Sequence, residues 1–202
     1  MPFPINLDAV KGFLDPSEGA ALYAAAEEMA GLGLCVEIGS YCGKSTIVLG
    51  AACKKEGGIL LAIDHHRGSE ENQPGEEYFD PDLDDGEGGV SSLLHFRANI
   101  RAAGLEGTVI PALSPSQVVA RLPMAAPALV FIDGGHSMPA ALADWQNWGA
   151  RVMAGGLLAI HDVFPNPADG GRPPHEIYKL ALHSGLFEEE KVVKSLRLLR
   201  RL

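Results

Sequence analysis

The chain has 202 residues, 47% apolar and 21% charged, which suits one domain with a substantial core and excludes a disordered or fibrous chain. A formal net charge of -10 argues against nucleic acid or an anionic membrane as the main partner, since basic surfaces supply most of that affinity, and leaves a neutral or cationic small molecule. Cys35, Cys42 and Cys53 are odd in number and lack Cys-x-x-Cys spacing, so they read as reduced thiols in a cytoplasmic protein. Met1 to Val10 carries no basic and apolar leader, and no apolar run reaches membrane-spanning length.

In chain order, Asp15-Pro16-Ser17-Glu18 opens a helix that runs through Ala30, with proline and acids suited to its first turn. Cys35 to Gly39 is the first strand and Ser45 to Lys54 its helix. Gly57-Gly58 then breaks the chain before a strand from Ile59 to Asp64. Further on, the pattern predicts a helix over Ser91 to Ala103, a strand over Thr108 to Ala112 and a helix over Pro115 to Arg121. A strand over Ala128 to Asp133 follows, then a helix over Pro139 to Ala150 and a strand over Leu157 to His161. His175 to Ser184 is the last helix, and Phe187 to Leu202 forms a hairpin. Such alternation is the pattern of a parallel sheet covered on both faces.

Val36-Glu37-Ile38-Gly39-Ser40-Tyr41-Cys42-Gly43-Lys44-Ser45-Thr46 is the most informative segment. Its end looks like a phosphate-binding loop, but that motif needs four residues between its first glycine and the Gly-Lys pair, and Gly39 leaves three. The other reading is an acid in an apolar strand, then Gly39 and Gly43 flanking a tight turn into a helix, both glycines permitting positive φ. This segment resembles the start of the class I S-adenosylmethionine-dependent methyltransferases, and the resemblance extends over essentially the whole chain. It implies a Rossmann-like, seven-stranded, mostly parallel sheet with helices on both faces and a C-terminal antiparallel hairpin.

A carboxylate at Glu37 would repel a polyphosphate but suits S-adenosylmethionine, which carries a sulfonium and an ammonium. The resemblance implies cofactor contacts from Glu37, Gly39, Ser40, Tyr41 and Gly43. Ser45 either donates to the cofactor carboxylate or caps the helix, and Lys44 reads as a solvated residue of the first turn. Asp64, about twenty residues beyond the turn, is placed to accept hydrogen bonds from both ribose hydroxyls. His65, by resemblance, packs on the adenosine, and His66 reads as an exposed loop residue. In related methyltransferases the loop after the third strand holds adenine, so Ser114 either bonds the ring or, like Ser116, caps the helix that Pro115 would begin.

Between Arg67 and Gly89 lie nine acidic residues with Pro74, Pro81 and five glycines from Gly68 onward, too polar for core and long for a connection. Two readings stand, a mobile acidic loop without a role and a lid over residues 68 to 89 anchored by Tyr78 and Phe79.

The second strong signal is Leu129-Val130-Phe131-Ile132-Asp133-Gly134-Gly135-His136-Ser137, followed by Leu157-Leu158-Ala159-Ile160-His161-Asp162-Val163. Both runs set an acid and a histidine at the carboxyl end of a central strand. Together with Gly155-Gly156 they resemble the small O-methyltransferases that modify sugars in macrolide and actinobacterial glycan pathways, including mycobacterial enzymes acting on methylmannosides. The acceptor implied is a small-molecule hydroxyl, on a sugar or glycoside. An alcohol needs a base or a metal to lose its proton during transfer. His136 is the expected base, or else a residue that holds Asp133. Asp133 and Asp162 are candidate magnesium ligands, although Val163 stands where relatives carry another oxygen ligand. Without metal, Asp133 would orient cofactor or substrate hydroxyls. His161 reads as a buried structural histidine or as a ligand to a softer metal.

His95, His175 and His183 read as structural or solvated, and Trp145 and Trp148 as core packing. Arg197, Arg200 and Arg201 read as an exposed charged edge strand, or as partners for the acidic loop of a second copy in a homodimer. Two rival functions are a P-loop NTPase using Lys44 and Asp133, and a non-catalytic cofactor-binding protein.

Overall fold

The computed structural model describes residues 3–69, 72–76, 79–135, 137–166, 169 and 172–202. Seven strands form one sheet: β1 (Cys35–Ile38), β2 (Leu60–Ile63), β3 (Val109–Ala112), β4 (Leu129–Ile132), β5 (Leu157–Ile160), β6 (Phe187–Val193) and β7 (Leu196–Arg201). Their order is β3-β2-β1-β4-β5-β7-β6. The first five are parallel, and the β6–β7 hairpin runs antiparallel against β5. The sheet, its topology and its closing hairpin are those the sequence predicts.

Strand residues alternate between two cores because successive side chains leave opposite faces. Cys35, Leu60, Leu129, Phe131 and Leu157 pack with α1 (Pro16–Met29), α2 (Lys44–Glu56) and α3 (Leu93–Ala102). Val36, Ile38, Val130, Ile132 and Leu158 pack with α4 (Ser116–Val119), α5 (Met138–Asn147) and α6 (Pro173–His183). Trp148 is fully enclosed and Trp145 lies against Phe187, so both are core residues as expected. The strand order reverses between β1 and β4, and the carboxyl edge at that switch point is where open α/β sheets bind ligands.

Local chemistry sets the helix ends. Asp15 and Glu18 form a reciprocal capping box with Pro16 at the first helical position of α1. Gly57, at φ 71°, closes α2 in the left-handed conformation. The helix α4 is shorter than predicted: Pro115 occupies its cap position and Ser116 its first turn, and neither serine supplies a capping hydrogen bond. The basic run at the C-terminal end is not an exposed edge either, since β7 pairs with β5 on one side and β6 on the other. Arg197 is buried and donates to the carbonyls of Lys194, Leu196 and Val163, while Arg200 bridges Glu190 and Glu28. These two arginines are therefore engaged within their own chain.

Candidate active site

Three of the four non-glycine residues with positive φ among those described lie just beyond strand ends at this edge: Tyr41 (46°), His66 (57°) and Asp162 (55°). Such backbone costs about 1–3 kcal/mol per residue and gathers where surrounding structure over-determines it. Gly39, at φ 86°, has a second constraint, for a Cβ there would lie 2.0 Å from the carbonyl oxygen of Asp133. The turn after β1 thus presses on the end of β4.

Behind that turn Glu37 points to the α2 side of the sheet. Ser45 Oγ donates to Glu37 Oε1 and Thr46 Oγ1 to Oε2, each at 2.6 Å. Burial pushes the Glu37 carboxyl up to about 7, against the pull of those two hydrogen bonds. Ser45 therefore does not cap α2, whose cap residue is Gly43 at φ 93°. Lys44 is only half exposed: its ammonium donates to the Gly12 carbonyl at 3.1 Å, and its stem packs on Gly12. Ser40 Oγ is buried without a well-formed hydrogen bond, although it also helps to hold the Glu37 carboxyl down, and it is the kind of hydroxyl a bound ligand satisfies.

Asp64 organises the next turn. Its Oδ2 accepts from the backbone amides of Ser40 and Tyr41 at 2.9 and 2.8 Å, and its Oδ1 from the amide of His66 at 2.7 Å. A carboxylate offers about four acceptor directions, so three are taken by the loops themselves. His65 is exposed, as an adenosine-stacking residue must be before its ligand arrives. The expected exposure of His66 is overturned: it is buried, its ring tilted against Phe96 at 4.9 Å, with Nδ1 2.9 Å from Ser92 Oγ. Burial lowers its pKa. Ser114 is half-buried in the loop after β3, and Phe79 packs on Cys42, Leu83 and Val90. Lys11 pins the acidic segment through Asp80 and Asp82, at 2.6 and 2.7 Å. Tyr78 lies outside the described residues.

At the ends of β4 and β5, Asp133, His161 and Asp162 converge, with one potential ligand atom from each within 4.8 Å of the others. His161 Nδ1 lies 3.0 Å from Asp133 Oδ1 and 3.5 Å from Asp162 Oδ1. Its Nε2 lies 3.1 Å from Glu18 Oε2. Burial would push the imidazole pKa down, but the Asp133, Glu18 and Asp162 carboxylates outweigh it and raise it well above the ordinary value. Burial likewise opposes ionisation of Glu18, and the donors His161 and Ser195 reverse the effect. Asp133, His161 and Asp162 are the described groups that could hold a metal ion here, the two carboxylates suiting a hard cation and the imidazole, once it gives up its proton, a softer one. Sequence reasoning missed this role of Glu18: its place in the first turn of a helix was legible, its turn toward His161 was not. It also missed Thr46 and Asp144. Asp144 is buried on α5, where Ser116 Oγ donates to its Oδ1 and burial pushes its pKa up to about 6. The clue was an acid on the face shared by Ala141 and Trp148. His136 lies outside the described residues, between Gly135 and the α5 cap residue Ser137.

With this geometry in place, comparison with known proteins assigns the lineage. The sequence matches the family described as a methyltransferase domain over residues 36–163. The chain belongs to that family. Among solved structures, this methyltransferase is similar to the O-methyltransferase from Bacillus cereus in complex with SAH, at 16% identity, with 94% of this chain and 83% of that chain covered and a TM-score of 0.65. The O-methyltransferase NovP aligns at 17% identity over 91% of this chain and 78% of its own, with a TM-score of 0.67. TomG from Streptomyces achromogenes, involved in tomaymycin synthesis and solved in complex with SAM, aligns at 15% identity over 94% and 81%, with a TM-score of 0.60. A methyltransferase assignment displaces the P-loop reading of Gly43-Lys44. No helix among the described residues is long and apolar enough to cross a membrane, and all three cysteines are free and buried.

Proposed function

We propose that this methyltransferase moves the methyl group of S-adenosylmethionine to a hydroxyl oxygen of a small molecule, a sugar or glycoside. The observation that carries this reading is the meeting of two polar centres at one edge of the sheet, the Gly39–Gly43 turn with its buried Ser40 hydroxyl and the Asp133–His161–Asp162 cluster. The O-methyltransferase neighbours, two of them solved with SAM or SAH, support both the donor and the acceptor oxygen.

On this reading Gly39, Ser40, Tyr41 and Gly43 hold the amino-acid part of the donor. Glu37 acts through its field and through Ser45 and Thr46, since its oxygens already accept from both. Asp64, with one acceptor direction left, takes a ribose hydroxyl, His65 flanks the adenosine and Ser114 meets the adenine. His136 removes the acceptor proton as the C–O bond forms and the C–S bond breaks, leaving a neutral thioether. Asp133 orients the acceptor, and His161, clamped by Glu18, fixes Asp133. The donor set of Asp133 and Asp162 suits a hard divalent ion such as magnesium, which when bound would supply Lewis-acid polarisation of the hydroxyl. The free cysteines fit a reducing, cytoplasmic setting.

The test separates donor, base and metal. S-adenosylhomocysteine should bind in calorimetry, and ATP should not. His136→Ala should leave that binding nearly intact while turnover falls by roughly a hundredfold or more. A chelator should abolish activity and added magnesium restore it. Full activity in chelator removes the metal and leaves the base; full activity in His136→Ala does the reverse. Binding without turnover of any alcohol would favour a non-catalytic cofactor-binding protein.

A further inference from the structure

Asp144 is a buried acid, 5% exposed, whose two oxygens differ. Oδ1 accepts from Ser116 Oγ, and the indole of Trp148 donates to the Ser116 carbonyl at 3.1 Å, so this side of Asp144 braces the loop after β3. Among the described residues Oδ2 has neither a hydrogen-bond donor nor a cationic partner. Among the described residues the fully enclosed side-chain atoms without partners are Ser40 Oγ and Arg201 Nη1, and Asp144 Oδ2 is not one of them. It opens instead on a cleft that Asp144 lines together with Ile132, Asp133, Gly134, Ile160 and Ile177.

The neighbouring backbone keeps that oxygen open. Gly134 has an ordinary φ, so its backbone does not require glycine. A Cβ there would lie 2.9 Å from Asp144 Oδ2 and 3.5 Å from Ile38 Cγ2. The missing side chain therefore clears space in front of the carboxylate. A brace needs only Oδ1, whereas holding the second carboxylate oxygen in a largely buried residue, at the mouth of a cleft and without a protein donor, leaves an acceptor open to a ligand. The one cationic group among the described residues lining the cleft, His161, is already engaged by Asp133 and Glu18, and no lysine or arginine lines it, which disfavours an anionic ligand and favours a donor of hydrogen bonds.

We infer that Asp144 is a specificity-determining residue whose Oδ2 receives a hydrogen-bond donor, an ammonium or a second hydroxyl, carried by the acceptor beside the hydroxyl that is methylated. The inference rests on the methyl-transfer reading above. Asp133 and Asp144 stand at one cleft with Gly134 between them in sequence, so one small molecule can present its reacting oxygen to the first and its donor group to the second.

The probes are 2-aminocyclohexanol, cyclohexane-1,2-diol and cyclohexanol, offered with labelled S-adenosylmethionine. KM for cyclohexanol should exceed that for the better of the other two by about tenfold or more. Asp144→Asn, which keeps an acceptor for Ser116, should erase that advantage while leaving kcat for cyclohexanol and the affinity for S-adenosylhomocysteine unchanged. Gly134→Ala should do the same by crowding Oδ2. A larger effect on the amine than on the diol identifies the donor as an ammonium, and equal effects identify a hydroxyl. Equal losses on all three probes, weakened S-adenosylhomocysteine binding in Asp144→Asn, or no effect would reduce Asp144 to a brace and overturn the inference. Failure to methylate any probe while S-adenosylhomocysteine binds would overturn it and spare the methyl-transfer reading; failure of S-adenosylhomocysteine to bind the unaltered protein would remove both.

Discussion

At the end of β1 the buried acid is satisfied over a short stretch of chain: Glu37 takes hydroxyls from Ser45 and Thr46, eight and nine residues on. At the ends of β4 and β5 the acids are held from far away. His161 meets Glu18 across 143 residues, and Glu18 in turn accepts the amide and hydroxyl of Ser195 across 177. The first region is a preformed turn whose geometry is written locally, and the second is an electrostatic keystone that joins α1, β5 and the β6–β7 hairpin. A local turn survives small shifts of the sheet, but the keystone exists only when the chain is fully assembled.

The largest expected effect is at the keystone. Glu18→Ala strands the His161 charge and the Ser195 donors in the interior, so urea denaturation should show a loss of about 3–5 kcal/mol. A loss below about 1 kcal/mol would mean that β4 and β5 hold their own ends, and the contrast with the β1 turn would disappear.

Glu37 tests the other region through pH. Its folded pKa of about 7 stands above the ordinary 4.5, so between those values the folded protein binds more protons than the unfolded chain. Stability from this group therefore falls as pH rises through that window, by roughly 3 kcal/mol at most. Glu37→Gln should flatten this fall when urea midpoints at about pH 5 and pH 8 are compared; an unaltered slope would mean that Glu37 stays ionised throughout.

Asp64→Ala should weaken S-adenosylhomocysteine binding by about 1.5–3 kcal/mol, since it removes a charged acceptor from the ribose and frees three loop amides. Unchanged affinity in calorimetry would remove Asp64 from the donor site. Smallest is Lys11→Ala, whose two partly exposed ion pairs are worth about 0.2–1 kcal/mol each. It should speed hydrogen exchange around Asp80 to Val90 with little change in global stability, and closure of the acidic segment over bound donor should slow the same amides. Identical exchange in every state would leave that segment a pinned loop and not a lid.

What the sequence by itself determined is what short-range physics controls. Strand and helix periodicity, the glycines at 39 and 43, the helix start at Asp15–Glu18 and the family resemblance were all legible, and so was the placing of Asp133, His161 and Asp162 at adjacent strand ends. Tertiary structure alone decided how those groups spend their hydrogen bonds. Glu18 looked like a helix-start acid until α1 packed it against His161; Asp144 drew no notice until the fold set it against Ser116 and Gly134; His66 looked exposed until α3 covered it. A side chain's partner across more than a hundred residues is set by how helices seat on the sheet, and no local pattern encodes that seating.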